Sequence, residues 1–255
     1  LPKQVPLYDA LAADYDRFVS WEGRLAHELP FFQRLFEERR VERVLDSACG
    51  TGHHAIALAQ QGCHVVGADL SAAMVELARQ NAATAGADLA FRVTGLGELA
   101  TLGETFDAVL CLGNSLPHLL TAQAVAEALA DFAAVLNPGG LLVIQNRNFD
   151  LVWTEKERFM PPQAHRDGDQ EWLFLRFYDF HEASITFNMN RLRRTDQGWE
   201  QAVESTELRP IFRDEFAVAL EAAGFEDSLF YGSYDGSPFD PARSGDLIAL
   251  ATRSD

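Results

Sequence analysis

Asp46, Gly50 and Gly52 fall inside the stretch Val44-Leu45-Asp46-Ser47-Ala48-Cys49-Gly50-Thr51-Gly52, where an acidic residue ends an apolar run and two glycines open the next segment. Val41, Val44 and Leu45 suit a short buried parallel strand, and Ala55 to Gln60 reads as a helix. The glycines permit a tight turn and a close backbone approach, so the helix N-terminus faces a ligand. Gly50-Thr51-Gly52-His53-His54-Ala55 satisfies a loose G-x-G-x-x-A dinucleotide pattern. Asp46 counts against a pyrophosphate there, because a fixed carboxylate at the strand end repels a second anion and welcomes a cation. Cys63-His64-Val65-Val66-Gly67-Ala68-Asp69 reads as a second strand ending in an acid, Asp69, seventeen positions after Gly52. A carboxylate in that place accepts hydrogen bonds from both ribose hydroxyls, a feature that fits either kind of nucleoside cofactor.

Asp46 to Gly52 resembles motif I of the class I S-adenosylmethionine-dependent methyltransferases, and the segment ending at Asp69 agrees with it. The resemblance implies S-adenosyl-L-methionine as cofactor and S-adenosyl-L-homocysteine as product. It places Asp46 near the methionyl ammonium, runs the turn of Ala48, Gly50 and Gly52 beside the cofactor, sets Asp69 and Leu70 at the ribose, and adds Leu96, Gly97 and Leu112 to the binding wall. Many such enzymes carry an acid after the third strand to face the adenine amino group. In Gly95-Leu96-Gly97-Glu98-Leu99 that position is Gly95, leaving the Leu96 N–H and the Glu98 side chain as substitutes.

A narrower resemblance rests on Cys111-Leu112-Gly113-Asn114-Ser115-Leu116-Pro117-His118-Leu119 and on Pro138 to Asp150, which are similar to the glycine and glycine/sarcosine N-methyltransferases. It implies that Arg147 grips the acceptor carboxylate and that Asn114 and His118 line the acceptor pocket. Phe149 departs from the tyrosine of that family, and the chain beyond Asp150 follows it poorly. Counting back from motif I, the resemblance sets Arg24 on the methionyl carboxylate. Methyl transfer from a sulfonium is an in-line displacement, which requires an amine lone pair about 3 Å from the methyl carbon. An arginine fork fixes one end of an amino acid with two parallel bonds while Asn114 accepts from its amine. The amine must arrive neutral, so bulk water or His118 takes its proton.

Near the N-terminus, Tyr8-Asp9-x-Leu11-Ala12-x-x-Tyr15-Asp16 reads as a helix with both tyrosines on one face, a candidate cover for the acceptor site. Ser71 caps a helix running to about Ala85. Strands follow near Leu89 to Thr94 and Ala108 to Leu112, then a helix from Ala122 to Leu136, a turn at Asn137-Pro138-Gly139-Gly140 and a strand from Leu141 to Asn146. From Leu151 the pattern changes: Trp172 to Phe180, Ser184 to Arg194 and Gln201 to Arg209 read as antiparallel strands. A helix from Arg213 to Ala223 and strands at Asp227 to Tyr231 and Asp246 to Thr252 complete the chain. The expected fold is α/β, a Rossmann-like seven-stranded sheet of order 3-2-1-4-5-7-6 with the last strand antiparallel, an arrangement that the resemblance implies. Residues 1–150 and 211–255 would form the cofactor domain and 151–210 an antiparallel insertion serving as lid over the strand ends.

The 255 residues, 47% hydrophobic, can bury a large core. A net charge of −17 and a pI near 4.7 disfavour nucleic acid and anionic membrane as partners and leave a small-molecule amine acceptor, with a homo-oligomer allowed. Cys49, Cys63 and Cys111 at or beside strands suit reduced thiols in a cytoplasmic protein, and neither a signal peptide nor a membrane span is visible. Cys49, His53, His54, Cys63 and His64 lack paired ligand spacing, so no metal is expected. Trp172, Phe174 and Phe177 read as lid core, and Arg191, Arg193 and Arg194 as a solvated strand face. An NAD-dependent oxidoreductase and a non-catalytic S-adenosylmethionine-binding protein are the alternatives.

Overall fold

A computed structural model describes residues 6–254; the ends of the expected 1–150 and 211–255 segments, residues 1–5 and 255, lie outside the described residues. Two helices, α1 (Pro6–Phe18) and α2 (Trp21–Arg39), precede an alternation of β1 (Arg43–Ser47), α3 (His53–Gln60), β2 (His64–Asp69), α4 (Ala72–Ala85), β3 (Ala90–Val93), β4 (Phe106–Cys111), α5 (Ala122–Val135) and β5 (Leu136–Arg147). Then come α6 (Phe149–Glu155), four strands β6 (Gln163–Asp167), β7 (Gln170–Phe180), β8 (Ile185–Thr195) and β9 (Gly198–Leu208), and finally α7 (Arg213–Ala222), β10 (Phe225–Tyr231) and β11 (Asp246–Arg253).

The main sheet runs β3-β2-β1-β4-β5-β11-β10, with β11 antiparallel to both neighbours. Counting only its own strands, this is the expected order 3-2-1-4-5-7-6. Helices cover both faces, so the central strands are buried along most of their length and their alternate apolar residues enter two different cores. In β4, Ala108 and Leu110 pack on the side of α2 and α3, whereas Val109 and Cys111 pack on the side of α5 and α7. Val44 and Leu45 of β1 split in the same way, and both are fully buried.

Local chemistry sets the element ends. Ser71 Oγ accepts from Met74 N–H at 3.2 Å and Thr121 Oγ1 from Ala124 N–H at 3.1 Å, satisfying first-turn donors of α4 and α5. Gly67 is fixed by packing, since a Cβ there would stand 2.5 Å from the Phe91 ring. The Asn137–Gly140 segment is not a turn before the strand but an irregular start of β5, where the pairing with β4 shifts register between Phe106 and Ala108.

The β6–β9 sheet is a separate antiparallel layer of order β6-β7-β8-β9. One of its faces receives α1, where Leu7 and Leu11 pack with Trp172, Phe174 and Met189. Phe177 is not part of that core; it packs on Phe159. Nor is Arg191 a solvated residue. Its Nη1 donates to Asp14 Oδ2 at 2.6 Å, tying α1 to β8, while Arg193 and Arg194 pair with Glu200 and Glu171.

Candidate functional site

Two cavities open at the carboxyl ends of the parallel strands. The first, about 950 Å³ and open on one side, takes in Asp46, Ala48, Gly50, Asp69, Leu70, Leu96 and Leu112 of the expected cofactor wall, together with Arg24. The second, about 1260 Å³ and open to solvent, takes in Asn114 and Arg147. Tyr8, Tyr15, Arg24, Gly113 and His118 line both, so these five residues mark where the cavities join.

In the first cavity Asp46 ends β1 at 2% exposure, and its Oδ2 is buried without a hydrogen-bond partner among the described residues. Burial and the neighbouring Asp69 charge push its carboxyl up to about 7, with Arg24 and the Ala55 N–H acting the other way. Such a group awaits a cation. Asp69 builds the turn as well as facing the cavity: Oδ2 accepts from Gly50 N–H at 2.8 Å and Oδ1 from Ser71 N–H at 2.9 Å, which leaves a second lone pair on each oxygen. Ala48 holds a left-handed φ of 61°, a strained state for a residue with a Cβ.

Arg24 is held in place by Glu28. Its Nε donates to Glu28 Oε1 at 2.8 Å, and Glu28 Oε2 bonds His54 Nε2 at 2.6 Å. His53 Nε2 lies 3.1 Å from Asp16 Oδ2, so His53 and His54 each contact a carboxylate. Asp16 also accepts from Thr51 Oγ1 at 2.6 Å and from Asn81 Nδ2 at 2.9 Å. Burial opposes its ionisation, but these bonds outweigh it and hold the carboxyl down at about 2, so α1 is latched onto the glycine turn by a permanent charge.

Three expectations need correction. Gly52 and Gly97 do not line either cavity. Gly52 is required because a Cβ at its φ of 83° would meet Ala78 and Phe91 at 2.9 Å; Gly97, at φ 88°, serves the loop backbone. The Glu98 side chain does not reach the cavity either, whose wall there is Thr94, Gly95 and Leu96.

In the second cavity Asn114 stands at φ 65° and its Oδ1 accepts the Arg147 backbone N–H at 2.9 Å, so one lone pair is already in use. The Arg147 side chain is exposed to the cavity and makes no ion pair within 4.0 Å among the described residues. His118 is enclosed between hydroxyls, with Nε2 3.0 Å from Tyr8 Oη and Nδ1 3.5 Å from Thr206 Oγ1. Burial lowers its pKa to about 4. A neutral imidazole so weakly basic is a poor acceptor for an ammonium proton, which favours bulk water over His118 as the base. Asp246, Arg176 and Tyr178 also line this cavity. Sequence reasoning missed all three. Asp246 comes opposite Arg147 only through the pairing of β11 with β5, and Arg176 sits in a strand whose facing is likewise legible only from the fold.

A family of methyltransferase domains matches residues 44–140. A glycine/sarcosine N-methyltransferase of Aphanothece halophytica is 29% identical over 221 residues, 86% of this chain and 80% of that protein. A second, from Parasynechococcus marenigrum, is 41% identical over 145 residues, 54% of this chain and about half of its own length at 49%. Together with the unpartnered carboxylate at the first strand end, these matches decide the class. The chain is a class I S-adenosylmethionine-dependent methyltransferase. The solved S-adenosylmethionine-bound CalS10 of Micromonospora echinaspora, an amino pentose methyltransferase, superposes on the whole methyltransferase with a TM-score of 0.74 at 25% identity, covering 98% of each chain. The oxidoreductase reading is set aside. S-Adenosylmethionine supplies an electrophilic methyl group when bound, and the donor set present fits it: a buried anion for the ammonium, Arg24 for the carboxylate and Asp69 for the ribose.

Proposed function

We propose that this methyltransferase methylates the nitrogen of a small amine carrying an anionic group, in the simplest case a carboxylate, held in the second cavity by Arg147. The observation that carries the reading is the junction of the two cavities. A cation-seeking wall of Asp46 and Asp69 lies on one side and the unpaired Arg147 on the other, with Tyr8, Tyr15, Gly113 and His118 between them. Arg147 orients the acceptor through its carboxylate, so the amine points toward that junction. The β6–β9 sheet and α1 act as the lid that keeps water from it. Asn114 retains one lone pair for the amine, and the proton leaves to solvent or to a basic group other than His118.

The glycine/sarcosine relatives, one of them over 86% of this chain, support this chemistry. The amino pentose enzyme, which matches from end to end, supports a second reading in which the amine belongs to an aminosugar. The acidic charge and the free thiols support a cytoplasmic enzyme that avoids nucleic acid; no helix among the described residues is long and apolar enough to cross a membrane. Incubation with S-adenosylmethionine and a panel of glycine, sarcosine, larger amino acids and aminosugars, with S-adenosylhomocysteine release as readout, tests the proposal. Arg147→Lys keeps the charge but loses the fork. Turnover of the carboxylate amines should fall at least tenfold while S-adenosylmethionine affinity stays near wild type. Equal turnover by Arg147→Lys, or a preference for amines without an anionic group, would remove Arg147 from the acceptor site.

A further inference from the structure

Arg147 is not the only unpaired cation in the acceptor cavity. Arg176, on β7, also lines it, makes no ion pair within 4.0 Å among the described residues, and has its Nε buried without a hydrogen-bond partner. Its guanidinium rests on the Phe18 ring at 4.9 Å, which fixes the group at the wall without neutralising it. Along β7, Phe174, Arg176 and Tyr178 alternate onto one face; Phe174 enters the core beneath α1, so Arg176 is aimed into the space between that core and β5. Beside it, Gln163 Oε1 on β6 is likewise buried and unpartnered in the wall.

This arrangement is costly unless something completes it. The chain has 38 acidic and 21 basic residues, and Arg17, Arg24, Arg158, Arg191, Arg193, Arg194, Arg209 and Arg213 all find carboxylates. Two arginines left without one in the same cavity repel each other, and burial together with the Arg147 charge lowers the Arg176 pKa. Asp246 does not resolve the conflict: it forms no ion pair with either arginine and accepts instead from Gln145 Nε2 at 3.0 Å. A single carboxylate occupies one fork. In addition, a cavity of about 1260 Å³ leaves most of its wall untouched by glycine.

We propose that the acceptor amine carries more than one negative charge, either two carboxylates or a phosphate, and that Arg176 binds the second charge and so determines which amines are methylated. This rests on the reading of the second cavity as the acceptor site. Aspartate and glutamate present two carboxylates, whereas O-phosphoethanolamine and glucosamine 6-phosphate present a phosphate; glycine and sarcosine present one carboxylate. Steady-state methylation of all six by the wild type, Arg176→Gln and Arg176→Lys separates the cases. The expected result is a kcat/KM at least tenfold higher for the doubly charged amines of one arm, carried by KM. Arg176→Gln should bring the ratio of doubly to singly charged kcat/KM toward one, and Arg176→Lys should restore part of it. A selective loss in KM is not what a merely structural role produces, since misfolding lowers kcat for every amine together.

If glycine or sarcosine is used as well as or better than every doubly charged amine, or if the ratio survives Arg176→Gln, the second charge is refuted while the small-amine reading stands. If no amine is methylated by a protein that binds S-adenosylhomocysteine in calorimetry, the acceptor reading and the role of Arg176 fall together.

Discussion

Asn114 Oδ1 accepts the backbone N–H of Arg147 at 2.9 Å, joining the loop after β4 to the end of β5. Asn114 N–H in turn donates to the Gln145 carbonyl at 3.1 Å, and Gly113 N–H to Gln145 Oε1 at 2.8 Å. The loop and strand end are therefore one rigid unit, and the arginine that lines the second cavity starts from a pinned backbone. The left-handed φ of Asn114 is tolerated because asparagine is among the residues least penalised there.

Asn114→Ala should lose both advantages and destabilise the protein by roughly 1–2 kcal/mol, through the missing hydrogen bond and the unfavourable φ. Asn114→Gly keeps the φ and loses only the bond. In urea titrations the glycine variant should be the more stable of the two, yet both should show a raised KM for the acceptor. An alanine variant as stable as wild type would mean the 2.9 Å contact contributes nothing.

The second prediction concerns His118, whose pKa burial lowers from 6.5 to about 4. Its stabilising contribution is present above the unfolded value and is lost as pH falls from about 6.5 toward 4, because over that window the unfolded chain binds the extra proton. The loss integrates to about 3 kcal/mol. Other groups titrate in the same range, so the difference between wild type and His118→Gln isolates it. That difference should shrink in favour of the variant as the pH is lowered. Parallel stability curves between pH 6.5 and 4 would show that His118 is not shielded as described.

The cofactor half of the site was legible in the sequence because it is built locally: one strand, one turn and one helix place Asp46, Ala48 and Gly50, and Asp69 follows on the adjacent strand. The acceptor half was legible at Asn114, His118 and Arg147, which lie on two short segments with a family resemblance, and at Tyr8 and Tyr15, which share one face of the N-terminal helix. Arg176, Tyr178 and Asp246 join them from β7 and β11 through tertiary contacts that no spacing encodes. The same distinction explains the elements that were missed. Helix α2 contains Gly23 and Pro30, which read as breaks; α6 is seven residues long, and β6 is a short polar segment at a sheet edge. Packing stabilises each of them where propensity does not.

Asp46 supports the third prediction. With its carboxyl pushed up to about 7 by burial and by Asp69, the ligand-free protein carries it largely protonated in mildly acidic solution. A cationic ammonium beside it favours the carboxylate, so binding below pH 7 must release a proton, and affinity should rise with pH until the group is mostly ionised at about pH 8. Each unit below pH 7 costs up to tenfold in S-adenosylmethionine affinity, about 1.4 kcal/mol. Calorimetry in two buffers of different ionisation heat, at pH 5.5 and at pH 8, should reveal proton release in the first and none in the second. Asp46→Asn should bind more weakly at pH 8 and lose the dependence. Affinity that is flat from pH 5.5 to 8 in the wild type would place the ammonium away from Asp46 and leave Asp69 and Arg24 as the groups that hold the cofactor.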